Sequence, residues 1–262
     1  MGRRVAALAA GSADIKIVGA LESPSSPDLG KDVGEVSLLG ALGAKVHSAE
    51  RIGKVVKDAR PDVLVDFTNA DASTANVVAA SGMGLRIVMG TTGHSQEQMG
   101  RITESIRSHK VAAVISPNMS IGVNVLLEAC GLVAKMLPGY DVEILEAHHN
   151  QKIDAPSGTA LKLARVVSDA LHRDAGKDVV SGRTGTRKRG EREIGIASLR
   201  AGDIVGDHTV LFAGPGERLE LTHRAHSRDA FASGVLSSIR FVSKAQPGIY
   251  SMKDVLKPAP GG

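Results

Sequence analysis

Residues 146–160 read EAHHNQKIDAPSGTA. His148 and His149, Lys152 and Asp154 crowd into one short stretch, and Pro156 then opens Ser157-Gly158-Thr159. Histidine gives or takes a proton near neutral pH, and a neighbouring lysine serves as an acid or as an anchor for a carboxylate. Proline suits the first turn of a helix. The amides at that end lack intrahelical partners and favour an anion. The stretch therefore offers proton donors beside a cradle for carboxylate. Two other readings stay open at this point. His148, His149 and Asp154 can form a metal site, although no further ligand stands at the usual spacing. Two surface histidines ahead of a capped helix is the plain alternative.

The flanking elements must hold these groups. An apolar run at 142–145 leads in and a helix-like run at 161–171 leads out, so the polar residues sit where a strand ends and a helix begins. Side chains alternate along a strand, which sends His148 and His149 to opposite sides unless the strand has already ended.

The rest of the chain divides in two. The first half alternates apolar runs (15–21, 62–67, 85–89, 111–115) with helical patterns (1–10, 49–59, 70–81, 95–109). Strands that are apolar throughout, spaced by helices, predict a parallel sheet covered on both faces. Ligands in such sheets bind at the carboxyl ends of the strands. Those ends carry Glu22, Thr68, Gly90-Thr91-Thr92-Gly93 and Ser116-Pro117-Asn118-Met119. An acidic residue in the position of Glu22 can accept the ribose hydroxyls of a dinucleotide; a solvated strand-end carboxylate is the alternative. The 90–93 turn can face a ribose or nicotinamide, or be a simple strand-to-helix connection. After Met119 a long apolar helix, a strand at 141–148, a helix and three strand-like runs (193–200, 204–212, 219–225) predict an α+β domain with a mixed sheet. A final helix at 229–244 and the tail SMKDVL are placed back on the first domain. The expected domains are 1–119, completed by 230–262, and 120–229.

A dinucleotide fold also needs a first strand and a glycine-rich turn whose helix N-terminus holds the pyrophosphate. The chain opens at Met1-Gly2-Arg3, already inside the helix, so the expected fold is a Rossmann-like, doubly wound sheet with its first strand missing. The expectation is that the natural polypeptide starts further upstream.

Composition excludes several classes. Of 262 residues, 42% are hydrophobic, enough for a packed core. Aromatics make up 2% and tryptophan is absent, which argues against single-stranded nucleic-acid binding by base stacking. A net charge of +4 suits an anionic small molecule or simple solubility. Cys130 stands alone in an apolar run, so no intrachain disulfide forms, a cytoplasmic setting fits, and a cysteine-dependent semialdehyde dehydrogenase is disfavoured. The most apolar stretch, 121–137, is broken by Asn124, Glu128, Gly131 and Lys135, too short and polar for a membrane span.

The stretch E-A-H-H-x-x-K-x-D-A-P-S-G-T-A closely resembles the signature of the dihydrodipicolinate reductase family, whose members act in the diaminopimelate route to lysine. D-F-T at 66–68, G-T-T-G at 90–93, P-N-x-S-x-G-V-N at 117–124, R-A-G-D-I-V-G-x-H at 200–208 and G-E-R-L-E-L-T-H at 216–223 extend the resemblance over nearly the whole chain. The opening M-G-R is similar to the end of the family's phosphate loop. The resemblance implies reduction of a cyclic dicarboxylate to tetrahydrodipicolinate with NADH or NADPH. It implies His148 as proton donor or acceptor, Lys152 as proton donor, and His149, Gly158 and Thr159 as substrate-carboxylate ligands. Gly2, Glu22, Gly90, Thr91, Thr92, Ser116, Pro117, Asn118 and Met119 would hold the cofactor, with no metal. Ser23 stands where members that use both cofactors carry an arginine. This leans slightly to NADH, though Lys31 can compensate. A homotetramer built through the second domain is implied, with no nucleic-acid or membrane partner. The basic loop at 183–192 is expected either to cover the site or to be solvated. A non-catalytic dinucleotide-binding regulator is the alternative class, which has no need of proton donors.

Overall fold

The computed structural model describes residues 1–257. The chain forms two compact units, one made of Met1–Ile121 and the chain from Phe231 onward, the other of Gly122–Ala230.

In chain order the first unit opens with helix α1 (Gly2–Ala10), strand β1 (Ala20–Glu22), α2 (Val33–Val36), β2 (Val46–Ser48) and α3 (Ile52–Ala59). It continues with β3 (Val63–Asp66), α4 (Ala70–Gly82), β4 (Arg86–Met89), α5 (Gln96–Ser108) and β5 (Ala112–Ile115). The second unit takes α6 (Ile121–Met136) from Gly122 on, then β6 (Asp141–His148), α7 (Gly158–Ala170), α8 (Ala175–Asp178), β7 (Val179–Ser181), β8 (Ile194–Arg200), β9 (Asp207–Gly214) and β10 (Glu217–Arg224). Helix α9 (Asp229–Val242), β11 (Gly248–Tyr250) and α10 (Met252–Val255) follow, all but the start of α9 in the first unit.

The parallel strands of the first unit fall into two sheets. β1 pairs with β2, and separately β11-β5-β4-β3 run side by side, all parallel. β3 is an edge, and Val63, Leu64 and Val65 are only half-buried, whereas β4 and β5 are buried almost throughout. The strand expected over 15–21 is much shorter. Residues 15–19 run unpaired, because β2 offers a partner for Ala20, Leu21 and Glu22 alone. Strands β2 and β11, three residues each, carry too little periodicity to be read in the sequence. Met252 and Met119 meet in one core with Val5, Val88, Val114 and Val235.

The second unit is a mixed sheet in the order β10-β9-β6-β8-β7. β6 lies parallel to β8 and antiparallel to β9. One face packs under α6 and α7, where Val142, Ile144, Ile194, Ile196, Val210 and Phe212 meet Leu127, Cys130, Leu163 and Val167. Each such side chain contributes roughly 1.5–3 kcal/mol on burial. Burial pushes the Cys130 thiol up to about 12, so it stays protonated. Among the described residues no helix is long and apolar enough to cross a membrane.

Helix α9 approaches the segment that follows β5 so closely that a Cβ on Gly234 would stand 1.7 Å from the Met119 carbonyl oxygen. A backbone atom cannot swing aside. Gly234→Ala is therefore expected to destabilise the fold by about 1–3 kcal/mol. Gly53→Ala, in α3 with open space around the new methyl, should raise stability by roughly 0.5–1 kcal/mol. Urea denaturation midpoints of the two variants should move in opposite directions.

Candidate active site

The site in the second unit grows out of strand alternation. On the helix-covered face, β6 presents Val142, Ile144, Glu146 and His148 in succession. The first two are core residues; the last two are polar. The neighbours change character at the same level. Ile144 stands opposite Ile196 and Val210, Glu146 opposite Ser198 and His208, and His148 opposite Arg200. Register thus turns three apolar strands into one polar layer at the carboxyl end of β6.

Glu146 is 1% exposed. Arg200 donates from Nη1 to Glu146 Oε2 (2.9 Å) and from Nη2 to Oε1 (2.8 Å). The Ser157 amide donates to Oε1 at 3.1 Å, and His148 Nδ1 stands 2.6 Å from Oε2. Burial alone would raise this carboxyl, but Arg200, Ser198, His148 and the Ser157 amide outweigh it and hold it at about 2. Arg200 reaches further, to the Asp154 carbonyl at 2.6 Å, and so fastens the loop that carries Lys152.

His148 is kept below the ordinary histidine range by burial, against the raising influence of Glu146; Lys152 and Arg200 lower it further. His208 packs edge-on against it, ring centroids 5.2 Å apart. The His208 Nε2 lies 3.1 Å from Ser157 Oγ, its buried Nδ1 has no hydrogen-bond partner among the described residues, and burial with the nearby His148 presses it down to about 4. Ser157 caps α7, accepting the Ala160 amide on Oγ at 3.2 Å. Lys152 Nζ lies 2.6 Å from Asp154 Oδ1 in the turn closed by the Lys152 amide on the His149 carbonyl. β6 ends at His148, so His149 belongs to that turn rather than to the opposite strand face. Gly158 is exposed, and a Cβ there would meet nothing within 4 Å, which leaves the start of α7 open to approach.

Sequence reasoning singled out His148, His149, Lys152, Gly158 and Thr159, and the fold gathers them around the β6–α7 junction. It gave no role to Glu146, Arg200 and His208. Their signal was the polar residue continuing an apolar alternation on each of three strands. The basic loop is largely exposed, in keeping with the solvated reading, and its arginines have acidic partners. Arg183 and Arg187 are paired with Glu193, Arg189 with Asp141 and Glu143, and Arg192 with Asp178. Asp141 opens β6 and His148 closes it, so these arginines tie down the far end of the strand and do not cover the site.

In the first unit, the expected cofactor residues divide by what they can offer. Glu22 is exposed at the end of β1. Gly2 begins α1, whose start has no side-chain cap, and a Cβ there would meet nothing within 4 Å. Thr92 and Pro117 are exposed, and Asn118 is half-buried, its Oδ1 accepting the Ser120 amide. Thr91 is buried, its hydroxyl donating to Asp66 at 2.5 Å and accepting the Thr68 amide at 2.9 Å. The Ser116 hydroxyl closes on the Asn118 carbonyl, and the Met119 side chain is core. Gly90 is required by contact, since a Cβ would fall 2.0 Å from the Phe67 ring. An exposed carboxylate at the end of a strand in a parallel sheet is the type of group that fits a dinucleotide ribose.

The comparisons with known proteins agree in one direction. The family model "Dihydrodipicolinate reductase, N-terminus" matches residues 1–119, and "Dihydrodipicolinate reductase, C-terminus" matches residues 122–256. The chain belongs to the dihydrodipicolinate reductase family. It is 48% identical to the 4-hydroxy-tetrahydrodipicolinate reductase of Methanothermobacter thermautotrophicus over 245 residues, covering 93% of this chain and 90% of that one. Identity to the reductase of Methanocaldococcus jannaschii is 49%, over 93% of this chain and 88% of the relative. Among solved structures, the dipicolinate-bound dihydrodipicolinate reductase of Paenisporosarcina sp. TG-14 superposes with a TM-score of 0.78 at 26% identity, covering 97% and 95% of the two chains. An amine dehydrogenase from Mycobacterium smegmatis, 19% identical with a TM-score of 0.59 over 96% of this chain and 92% of that one, shares the fold.

Because the folded His208 is depressed from 6.5 to about 4, the unfolded chain takes up that proton first. Its contribution to stability is complete above about pH 6.5 and is lost as pH falls through about 4. The thermal midpoint should therefore drop across this interval, and His208→Gln should make the slope shallower in a pH series of melting curves.

Proposed function

We propose that this chain reduces 4-hydroxy-tetrahydrodipicolinate to tetrahydrodipicolinate with NADH or NADPH, a step of diaminopimelate and lysine biosynthesis. The observation that carries this reading is the set of His148, Lys152 and the open start of α7 around one strand end, in a chain nearly half identical to reductases of that name.

Removing a ring hydroxyl as water while adding a hydride consumes one proton. A nicotinamide cofactor supplies the hydride when bound. The protein must supply the acid, hold two carboxylates and keep the ring oriented. Lys152, paired with Asp154, is the acid that quenches the negative charge hydride addition builds on the ring. His148 exchanges protons beside it. His149, the Gly158 and Thr159 backbone and the α7 dipole hold the carboxylates. The anion-favouring end of α7 lies one hydrogen bond from Glu146, since Ser157 is both its cap and a donor to that carboxylate.

For the cofactor, Glu22 accepts the ribose hydroxyls, the α1 start including Gly2 takes the phosphates, and the 90–92 and 116–119 turns approach the nicotinamide side, largely through backbone. Two facts support a preference for NADH. Ser23, not a cation, follows Glu22, and both Arg3 and Lys31 are already paired with Asp28. Exposed Leu145 and Leu199 on the uncovered side of the mixed sheet support self-association through the second unit, in line with a homotetramer. A cytoplasmic setting suits the unpaired Cys130.

Steady-state oxidation of NADH with freshly generated substrate tests the reading. kcat/KM for NADH should exceed that for NADPH. Lys152→Ala and His148→Gln should each lower kcat by roughly 100–10,000-fold with NADH binding unchanged. Loss of NADH binding in step with turnover would remove both residues from the chemistry.

A further inference from the structure

We propose that Glu146, clamped by Arg200, is the positioning residue for His148: it holds the ring proton on Nδ1, so that Nε2 takes the substrate-carbon proton released in the dehydration and passes it to the departing hydroxyl as water, leaving to Lys152 the one proton that the hydride addition consumes. This rests on the reading of His148 as a reacting group.

The geometry supports the assignment at each atom. An ionised carboxylate only accepts, so the 2.6 Å contact from His148 Nδ1 to Glu146 Oε2 requires the hydrogen to be on Nδ1. Glu146 stays ionised because Arg200 donates to both its oxygens and Ser157 adds a backbone amide. In a neutral ring this leaves the lone pair on Nε2. That nitrogen edge borders Gly206, where a Cβ would stand only 3.1 Å away, so glycine there keeps Nε2 uncovered.

Arg200 has a second effect. A carboxylate alone beside His148 would draw it towards the cationic form. Arg200 shares the charge of Glu146 and adds its own positive field. The groups facing the imidazole are Glu146 on its own strand, Arg200 from β8, His208 from β9 and Lys152 from the following turn. Burial, Lys152 and Arg200 act against the charge, and Glu146 acts for it. The two members of the clamp therefore pull the ring in opposite directions.

Nitrogen-15 chemical shifts of the histidines in the native chain read the tautomer directly. The expected result near pH 7 is a protonated Nδ1 and an unprotonated Nε2 for His148. Glu146→Gln should let the ring populate the Nε2-protonated form, move the His148 titration to lower pH, and reduce kcat by roughly 10–100-fold, the range found for orienting partners of metal-bound histidines, with the KM for NADH unchanged. Arg200→Met should move the titration to higher pH. A native ring protonated on Nε2, or titrations displaced in the same direction by both variants, overturns the clamp. If Glu146→Gln does not fold, the native tautomer and the Arg200→Met titration decide. Full turnover by His148→Gln would instead overturn the role of the histidine itself, whatever its tautomer. An inactive His148→Gln with a native ring protonated on Nε2 rejects the clamp alone.

Discussion

A carboxylate with 1% of its surface exposed sits at the end of the core of the second unit. Such a charge is tolerated only when it is paired and fully hydrogen-bonded. Glu146 meets that condition by recruiting Arg200 and Ser198 from β8, the Ser157 amide from the start of α7, and His148 from its own strand. The same bonds that solve the burial problem set the geometry of the site. They fix where α7 begins, how the 149–156 loop returns to it, and which edge of His148 is left facing outward.

The first unit handles its own buried carboxylate differently. Asp66 closes β3 and is 2% exposed. It is met by hydroxyls and an amide, from Thr91, Thr68 and Asn76, with no cation among these partners. The consequence is again a fixed turn, here the one that follows β4 at Gly90. Both units therefore place an acidic residue where an apolar strand runs out and use it to pin the following loops. One pin stands beside proton-exchanging groups, and the other shapes a backbone turn.

Charge elsewhere in the second unit is spent on architecture. The arginines of the 183–192 segment lie along Asp141, Glu143, Asp178 and Glu193, and Arg187 holds the Glu193 carboxyl below its usual range. A run of like charges in the sequence thus becomes a set of ion pairs once β6, β7 and β8 lie side by side. The net positive charge of the chain says little about the site, where Arg200 is committed to Glu146.

By itself the sequence determined the class of fold, the identity of the His148–Thr159 stretch, and the family. Those depend on local facts: apolar runs alternating with helical periods, a proline-opened helix cap, and motifs written in consecutive residues. Strands of three residues, β2 and β11, were invisible because so short a run has no period. The tertiary structure alone decided that Glu146, Ser198 and His208 share one level, and that His148 and Arg200 share the next. Residues more than fifty positions apart in the chain, such as Glu146 and Arg200, become partners only through strand register. Alternation predicts the face on which a side chain lies, but not which neighbour stands beside it. The partners of the basic loop were out of reach for the same reason, since a charge is assigned to a partner only once the sheet has placed its opposite.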